Sequence, residues 1–405
     1  MHTNQNFIGA SLCATHETDL FLILFCFLWA CLYLHIDLAK FINFSLKEYQ
    51  NMTVIVAIDG GNGHFKFVKS HTKEKIITSK FPSIAIVPHR GGLTYKGILK
   101  DESSQKVTIG DSEFECGLGV NTVKEARNVP RDFYQTTQYE ACMKAALKDI
   151  GKNNIDLLVL GAPVANYSTV APFLEKKYTG QIEIHRGEKR FVNVSKVLVL
   201  PQPLGSLYAC IKESPFGPKL QNMRVLTIDS GNLSFDWLYT SNDNGQLVAD
   251  KAVSGSHFGG MDGIIKLILA EISERIGTGP IDGAGQFAEV EAAIRKAISA
   301  VDESGDLLLA FRGKKVVIKG QEFDLISFAD LVKMSTSKAI DALLANVGSS
   351  EIDAVILTGG GGPLFLKEIM ARVSKKIVTP EEMQTANARG YQYAGETLLG
   401  VPYSE

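Results

Sequence analysis

The fold is decided by a stretch that occurs twice, first as Ile58-Asp59-Gly60-Gly61-Asn62-Gly63-His64-Phe65-Lys66-Phe67 and again as Ile228-Asp229-Ser230-Gly231-Asn232-Leu233-Ser234-Phe235-Asp236-Trp237. Both copies read Ile-Asp-x-Gly-Asn-x-x-Phe-x-aromatic. An apolar run precedes each aspartate and an alternating pattern follows it, which predicts two β-hairpins. Because internal duplication implies two similar domains, we expect the two turns to face each other across one cleft.

The turns of these hairpins, residues 60–63 (the first turn) and 230–233 (the second turn), have the composition of an ion site. Glycine allows positive φ, so consecutive N–H groups can point at an anion. An aspartate at the end of a strand can hold a divalent cation directly or through water. A single Asp-Gly hairpin is usually an ordinary turn, but two copies favour a site for phosphate and Mg²⁺.

Length and composition indicate a globular protein with room for two domains. The chain has 405 residues, and its net charge of −2 comes from 42 Lys and Arg against 44 Asp and Glu. This balance argues against a dedicated nucleic-acid surface. The six cysteines include no Cys-x-x-Cys pair. Neither a zinc site nor a disulfide framework is therefore indicated.

The first 51 residues differ in character from the rest. Residues 20–36 form a run of 17 without Asp, Glu, Lys or Arg, at the lower limit for a membrane-spanning helix. No Lys or Arg precedes this run, so a signal peptide is not indicated, and Lys40 and Lys47 after it would leave the main body in the cytoplasm. Alternatively, translation starts at Met52, immediately before the first predicted strand. We exclude residues 1–51 from the predicted fold.

Strand and helix patterns alternate from residue 52 onward. A helix is predicted over residues 139–150, followed by strands at 156–160 and 197–200 and a helix at 202–211. This alternation favours a doubly wound α/β domain. Gln202 follows a strand directly, where ligands bind in such sheets. Its amide can hold a water in line with a phosphoryl group or merely cap the helix, and both interpretations stay open.

The second hairpin opens a second domain at Arg224. Helices are predicted over residues 264–276 and over residues 328–347. Asp262 is the expected N-cap of the first of these, and the alternative is that it contacts the ligands of a bound cation. The strand 354–357 then leads into Gly359, Gly360, Gly361 and Gly362 (the glycine loop) and another helix. Bare backbone and about +0.5 of partial charge at a helix N-terminus suit a nucleotide. The chain has neither a Walker A loop nor a Rossmann fingerprint.

Taken together, these motifs resemble those of the actin superfamily, which also contains sugar kinases and heat-shock chaperones. The spacing of Asp59 and Lys66 resembles the first phosphate loop, and Asp229-Ser230-Gly231 resembles the second. Gln202, followed by Ser206-Leu207-Tyr208-Ala209, resembles the segment with the water-positioning glutamine, and the glycine loop resembles the adenosine loop. Asn387-Ala388-Arg389-Gly390-Tyr391 is similar to the closing helix of bacterial plasmid-segregation actins of the ParM/StbA type.

The resemblance implies an α/β fold of two duplicated actin-like (ribonuclease H-like) domains flanking a nucleotide cleft. Domain I would span residues 52–222, with 385–405 returning to it, and domain II residues 223–384. Asp59 and Asp229 would hold Mg²⁺, mainly through water, and Gln202 would aim the attacking water. The implied nucleotide contacts are Gly60, Gly61, Asn62, Gly63, Lys66, Ser230, Gly231, Asn232, Gly359, Gly360, Gly361 and Gly362.

The resemblance also implies a function: a cytoplasmic ATPase that binds Mg-ATP, forms head-to-tail filaments and segregates plasmids. A DNA-binding adaptor protein would carry the plasmid, so direct nucleic-acid binding is not expected. Contact with a membrane is expected only if residues 1–51 are translated. Two alternatives stay open. A small-molecule kinase would need an acidic base at the acceptor hydroxyl, and a nucleotide-sensing scaffold would bind ATP with negligible turnover.

Overall fold

The computed structural model describes residues 53–88, 104–117, 132–244, 246–299, 301, 304–373 and 375–401. By its contacts the chain divides into two units, residues 1–52 and 53–405. All described residues belong to the second unit, so the predictions for residues 1–51 lie outside them. None of the helices in the described part has the length and apolar character needed to span a membrane.

The first half of the described chain builds a mixed six-stranded sheet. Its helices are α1 (Thr137–Ile150), α2 (Tyr167–Tyr178), α3 (Gln202–Glu213) and α4 (Gly217–Leu220). Its strands are β1 (Ile55–Gly60), β2 (His64–His71), β3 (Ile76–Pro82), β4 (Ala85–Ile86), β5 (Ser104–Ile109), β6 (Ser112–Gly117), β7 (Asn154–Ala162), β8 (Gly180–His185) and β9 (Arg190–Pro201). The sheet order is β3-β2-β1-β7-β9-β8, while β4, β6 and β5 form a separate small sheet.

The second half repeats this plan in a five-stranded sheet ordered β12-β11-β10-β15-β16. Its strands are β10 (Val225–Ser230), β11 (Ser234–Asp243), β12 (Gln246–Phe258), β13 (Lys315–Ile318), β14 (Gln321–Asp324), β15 (Ala354–Thr358) and β16 (Lys376–Val378). Its helices are α5 (Met261–Arg275), α6 (Ala284–Ile298), α7 (Leu307–Phe311), α8 (Ala329–Val347) and α9 (Gly362–Arg372), and α10 (Ala386–Leu399) closes the chain.

The two sheets share one arrangement around the duplicated stretch. In each, a buried strand (β1 or β10) pairs antiparallel with the next strand of its hairpin and parallel with a later strand (β7 or β15). The predicted duplicated α/β fold is therefore confirmed. The contacts of residues 53–405 form a single compact unit, so the domain limits at 222/223 and 384/385 stay a prediction.

Two helices, α3 and α10 (the crossing helices), lie between the sheets. Leu207 of α3 packs in a core cluster with strand residues of the second sheet, and Tyr391 of α10 packs with strand residues of the first. The helices touch at two glycines: a Cβ added to Gly390 would lie 1.6 Å from the carbonyl oxygen of Gly205. Only residues without a side chain allow this approach.

The expectation that Asp262 caps its helix is wrong. The N-cap of α5 is Gly260, and Asp262 lies within the first turn, where its carboxylate pairs with Lys266 at 2.8 Å. The Asp262 N–H donates to the Asn232 carbonyl at 2.7 Å. The helix begins earlier than the apolar spacing predicts because its first N–H groups are satisfied by the second turn.

Candidate nucleotide site

The two turns, the start of α3 and the glycine loop surround one cavity. Asp59 and Asp229 both line it, as does Gln202. The other predicted residues in its wall are Gly61, Asn62, Gly63, Lys66, Gly231, Asn232, Gly359 and Gly360. Gly60, Ser230, Gly361 and Gly362 are not part of this wall. The structure therefore brings most of the predicted site residues together from four separate parts of the chain.

In the first hairpin, an ion pair joins strands β1 and β2. Asp59 is 1% exposed and accepts from Lys66 Nζ at 2.8 Å. The two residues are direct cross-strand partners, so the pair follows from the hairpin register. Gln202 Nε2 donates to the other Asp59 oxygen at 3.1 Å and lies 3.4 Å from the Tyr134 hydroxyl. This carboxylate is thus held by a cation on one side and an amide on the other.

The second hairpin has two acidic side chains across from each other, whereas the carboxylate of the first hairpin is neutralised by a lysine. Asp229 accepts from the neutral amide of Asn387 at 2.7 Å. Its cross-strand partner is Asp236, which accepts from the hydroxyls of Ser234 and Ser256. Burial, together with the negative charge of Asp59, raises the pKa of Asp229 to about 7. Burial also raises the pKa of Asp236. The second turn therefore favours the approach of a positive charge.

The glycine loop packs directly on the second turn. Gly359 has φ +86°, and a Cβ there would lie 2.3 Å from both Asp229 Oδ1 and the Ser230 carbonyl oxygen. The Gly361 N–H donates to that same carbonyl at 3.0 Å. Because any side chain at Gly359 would displace the Asp229 carboxylate, glycine is required for backbone and carboxylate to share this wall.

Three buried polar atoms at the turns find no hydrogen-bond partner among the described residues: Asn62 Oδ1, Asn232 Oδ1 and Ser230 Oγ. The turns also lie within contact of each other, since a Cβ on Gly63 would lie 3.0 Å from Asn232 Cβ. A buried polar atom without a partner costs about 1–3 kcal/mol. Such atoms are expected where a ligand or ordered water completes the site.

The donor set fits Mg²⁺ better than a transition metal. Asp59 and Asp229 offer carboxylate oxygens to the same cavity. The described residues contain no group of three or more His, Cys, Asp and Glu side chains able to enclose a metal ion. Mg²⁺ usually keeps several waters and binds through one or two carboxylates together with phosphate oxygens. Two carboxylates beside an open cavity are consistent with that habit.

A second cavity adjoins the first and shares Gly359, Gly360 and Arg295 with it. On one side Arg295 of α6 is held by Glu291 at 2.7 Å. On the other, Lys80 of β3 donates to the Gln384 side chain. Burial and the positive charge of Arg295 lower the pKa of Lys80. Two cations therefore line the second cavity, Lys80 from a strand of the first half and Arg295 from a helix of the second.

Sequence reasoning missed four of these residues. Asp236 was visible in the duplicated stretch, since it holds the place that Lys66 has in the first copy. Asn387 lies in the segment that resembles the closing helix, but no pattern indicated a contact with Asp229. Lys80 and Arg295 carry no motif at all, and only the packing of β3 and α6 around the cavity identifies them.

Comparisons with known proteins agree with this architecture. The family described as "Actin like proteins N terminal domain" matches residues 57–205. A search of curated protein sequences found no match. The fold is therefore the actin-like one, residues 57–205 match this family, and the resemblance inferred from the motifs is confirmed.

Among solved structures, the chain is similar to ParM proteins and to an archaeal actin homologue. A non-polymerisable quadruple mutant of pCBH ParM is 16% identical, with a TM-score of 0.64 over 85% of this chain and 99% of that one. A ParM from a 15-stranded Clostridium botulinum filament is 18% identical, with a TM-score of 0.63 and the same coverage. The archaeal actin homologue Ta0583 is 20% identical, with a TM-score of 0.62 over 85% of this chain and all of that one.

Proposed function

We propose that this protein is an actin-like ATPase that binds Mg-ATP between its two sheets and forms nucleotide-dependent filaments. The observation that carries the proposal is the meeting of Asp59, Asp229 and the glycine loop on one cavity. A site built from two acidic turns and bare glycine backbone suits a metal-bound polyphosphate. The archaeal actin homologue Ta0583 was also solved in complex with ADP, which supports nucleotide binding at this fold.

Each side chain would have a definable part in hydrolysis. Asp59 and Asp229 would hold Mg²⁺ mainly through its waters, and the bound ion would polarise the phosphate oxygens. Lys66 would exchange part of its pairing with Asp59 for phosphate oxygens, and the N–H groups of the turns would add further donors. These groups offset the charge that develops on the phosphoryl group.

Gln202 would orient the attacking water. Its Nε2 already donates to Asp59, which fixes the amide and leaves Oε1 as the end that accepts a hydrogen bond from water. Gln202 is not the N-cap of α3, which was the alternative interpretation of the sequence. The helix begins at Gln202, and its N-cap is Pro201. The nucleoside would extend past Gly359 and Gly360 into the adjoining cavity beside Arg295.

Filament formation and plasmid segregation complete the proposal. The similarity to a ParM filament subunit supports head-to-tail self-association. A heterologous interface that does not close propagates into a filament. A DNA-binding adaptor would connect the filament to its plasmid in the cytoplasm, because a net charge of −2 gives this chain little attraction for DNA.

A small-molecule kinase is the second candidate, and Asp236 is the observation that favours it. This buried acid lines the cavity and could take a proton from an acceptor hydroxyl. Both of its oxygens, however, already accept from Ser234 and Ser256. Hydrolysis directed by Gln202 therefore accounts for more of the site than transfer to an acceptor does.

Sedimentation of the purified full chain with MgATP, MgADP or no nucleotide, combined with phosphate release, tests the proposal. We expect a pellet and released phosphate with MgATP, and neither with the Asp229→Ala control. Absence of both in the wild type would refute the proposal. Assembly with negligible phosphate release would support the scaffold, and a phosphorylated sugar in an acceptor screen would support the kinase.

A further inference from the structure

A buried asparagine outside both hairpins touches the Asp229 carboxylate. Asn387 lies in the first turn of α10 and is 6% exposed. Its Nδ2 donates to Asp229 Oδ2 at 2.7 Å. Because a carboxylate only accepts, the NH₂ end of the amide must face Asp229 and its Oδ1 must point away. The orientation of this side chain is thereby set by its partner.

The other end of the amide is held by the second crossing helix. Ser206 of α3 is fully buried and donates to Asn387 Oδ1 at 2.6 Å. A serine hydroxyl has one proton, so its lone pairs face the Thr358 hydroxyl, which lies 3.0 Å away. Thr358 Oγ1 also lies 3.1 Å from the Met383 carbonyl, and its single proton serves either Ser206 or Met383. Asn387, Ser206 and Thr358 (the Asn387 chain) therefore form one connected set in which both ends of the Asn387 amide have a partner.

The positions of these residues connect three elements to one carboxylate. Thr358 is the register partner of Asp229 on the neighbouring parallel strand and immediately precedes the glycine loop. Ser206 and Asn387 come from the two crossing helices. In a dry interior, leaving the Asn387 amide unpaired is costly, so partners at both of its ends hold its geometry firmly.

The hydrogen bond from Asn387 occupies one carboxylate oxygen of Asp229 and leaves the other available to a ligand. Asn387 holds Asp229 Oδ2, whereas Oδ1 lies against Gly359 in the cavity wall. Without the amide, the carboxylate could rotate about its terminal bond and share both oxygens with the cavity. We propose that Asn387 is a positioning residue, held by Ser206 and Thr358, that aims Oδ1 of Asp229 at the metal-bound nucleotide. This inference rests on the proposed function.

The test compares ATP affinity with and without Mg²⁺, measured by titration calorimetry on the full chain. The wild type is expected to bind MgATP more tightly than ATP alone. Asn387→Ala and Ser206→Ala should each reduce this Mg²⁺ enhancement about tenfold or more, while the affinity for metal-free ATP changes less than about threefold. A merely structural role would weaken both affinities together.

Ser273→Ala is the matched control, because Ser273 is also a buried serine whose hydroxyl donates within the second half, to the Thr278 and Gly279 carbonyls. It should keep the full Mg²⁺ enhancement. If Asn387→Ala does not fold, Ser206→Ala decides, since it deletes a single oxygen atom. Wild-type enhancement in the folded variants would overturn the inference alone. A wild type with no Mg²⁺ enhancement would refute the proposed function, and the inference with it.

Discussion

The two hairpins have the same sequence pattern and line the same cavity, yet their electrostatics are opposite. In the first, the residue across from Asp59 is Lys66, and the two form an ion pair at 2.8 Å. In the second, the residue across from Asp229 is Asp236, another acid. One duplicated backbone therefore carries a neutralised carboxylate in one copy and two crowded carboxylates in the other.

This difference separates two tasks that a nucleotide site needs. The first hairpin provides a cation that can turn toward phosphate. The second provides a buried carboxylate that a bound cation or a proton stabilises, because burial and the negative charge of Asp59 raise the pKa of Asp229 to about 7. Lys66 and Asp236 each follow the aspartate of their hairpin by seven residues, and the register places each directly across from that aspartate. The two hairpins therefore differ in charge because this position is Lys in one and Asp in the other.

The largest expected effect comes from removing the crowded carboxylate. Asp229→Ala should reduce phosphate release from MgATP by roughly 10³-fold or more, because the metal loses one of its two carboxylate holders. The variant should remain folded, since it removes a buried charge that lacks a cationic partner. Phosphate release and circular dichroism check both statements, and unchanged turnover would refute the assignment of Asp229.

Gln202→Ala tests the amide of α3 that donates to Asp59 of the first hairpin. Nucleotide affinity should stay nearly constant while hydrolysis slows by about 10²-fold, because the side chain orients water rather than phosphate. Single-turnover phosphate release separates these steps. A rate equal to that of the wild type would leave Gln202 only its structural contacts with Asp59 and Tyr134.

The contrast between the two hairpins is tested by neutralising Lys66 and Asp236, the residues across from the two aspartates. Lys66→Met should weaken ATP binding about tenfold, since it removes a charged donor to phosphate. Asp236→Asn removes a negative charge from the same cavity and should leave ATP binding equal or tighter. Calorimetric titration of both variants measures the contrast. Loss of affinity in both variants to the same extent would contradict the division of tasks.

The smallest expected effect is on the stability of the nucleotide-free protein. Asp229 has a folded-state pKa of about 7, above its ordinary value near 4, so the folded protein binds the extra proton between these values. Stability should therefore fall by about 1 kcal/mol per pH unit as the pH rises from 5 to 6.5, and level off above 7. Urea unfolding of wild type and Asp229→Asn should differ in this slope, and equal slopes would contradict it.

Local sequence determined much of the outcome. The hairpin register follows from the alternation after each aspartate, and α3 begins at the predicted Gln202 because Pro201 ends the preceding strand. The glycine loop followed from a buried strand that leads into four glycines. These features depend on neighbours in sequence, and the pattern therefore carries them.

The remaining features depend on distant packing. The spacing of residues along the sequence does not predict that Asn387 contacts Asp229, because this contact forms only when α10 packs between the two sheets. The start of α5 was displaced for the same reason, since its first N–H groups bind the second turn. The contact of Lys66 with phosphate stays a prediction, while its pairing with Asp59 follows from the local hairpin register. Residues 20–36 lie outside the described part, and the interpretations given for them stay predictions.

The contact between Gly205 and Gly390 has a mechanical consequence. With backbone pressed against backbone, the crossing helices cannot slide past each other by a residue, because flanking side chains would collide at once. They can still rotate relative to each other about this point of contact. A rearrangement that accompanies the proposed ATP turnover should thus be a rotation, with its axis near two residues that have no part in the proposed chemistry.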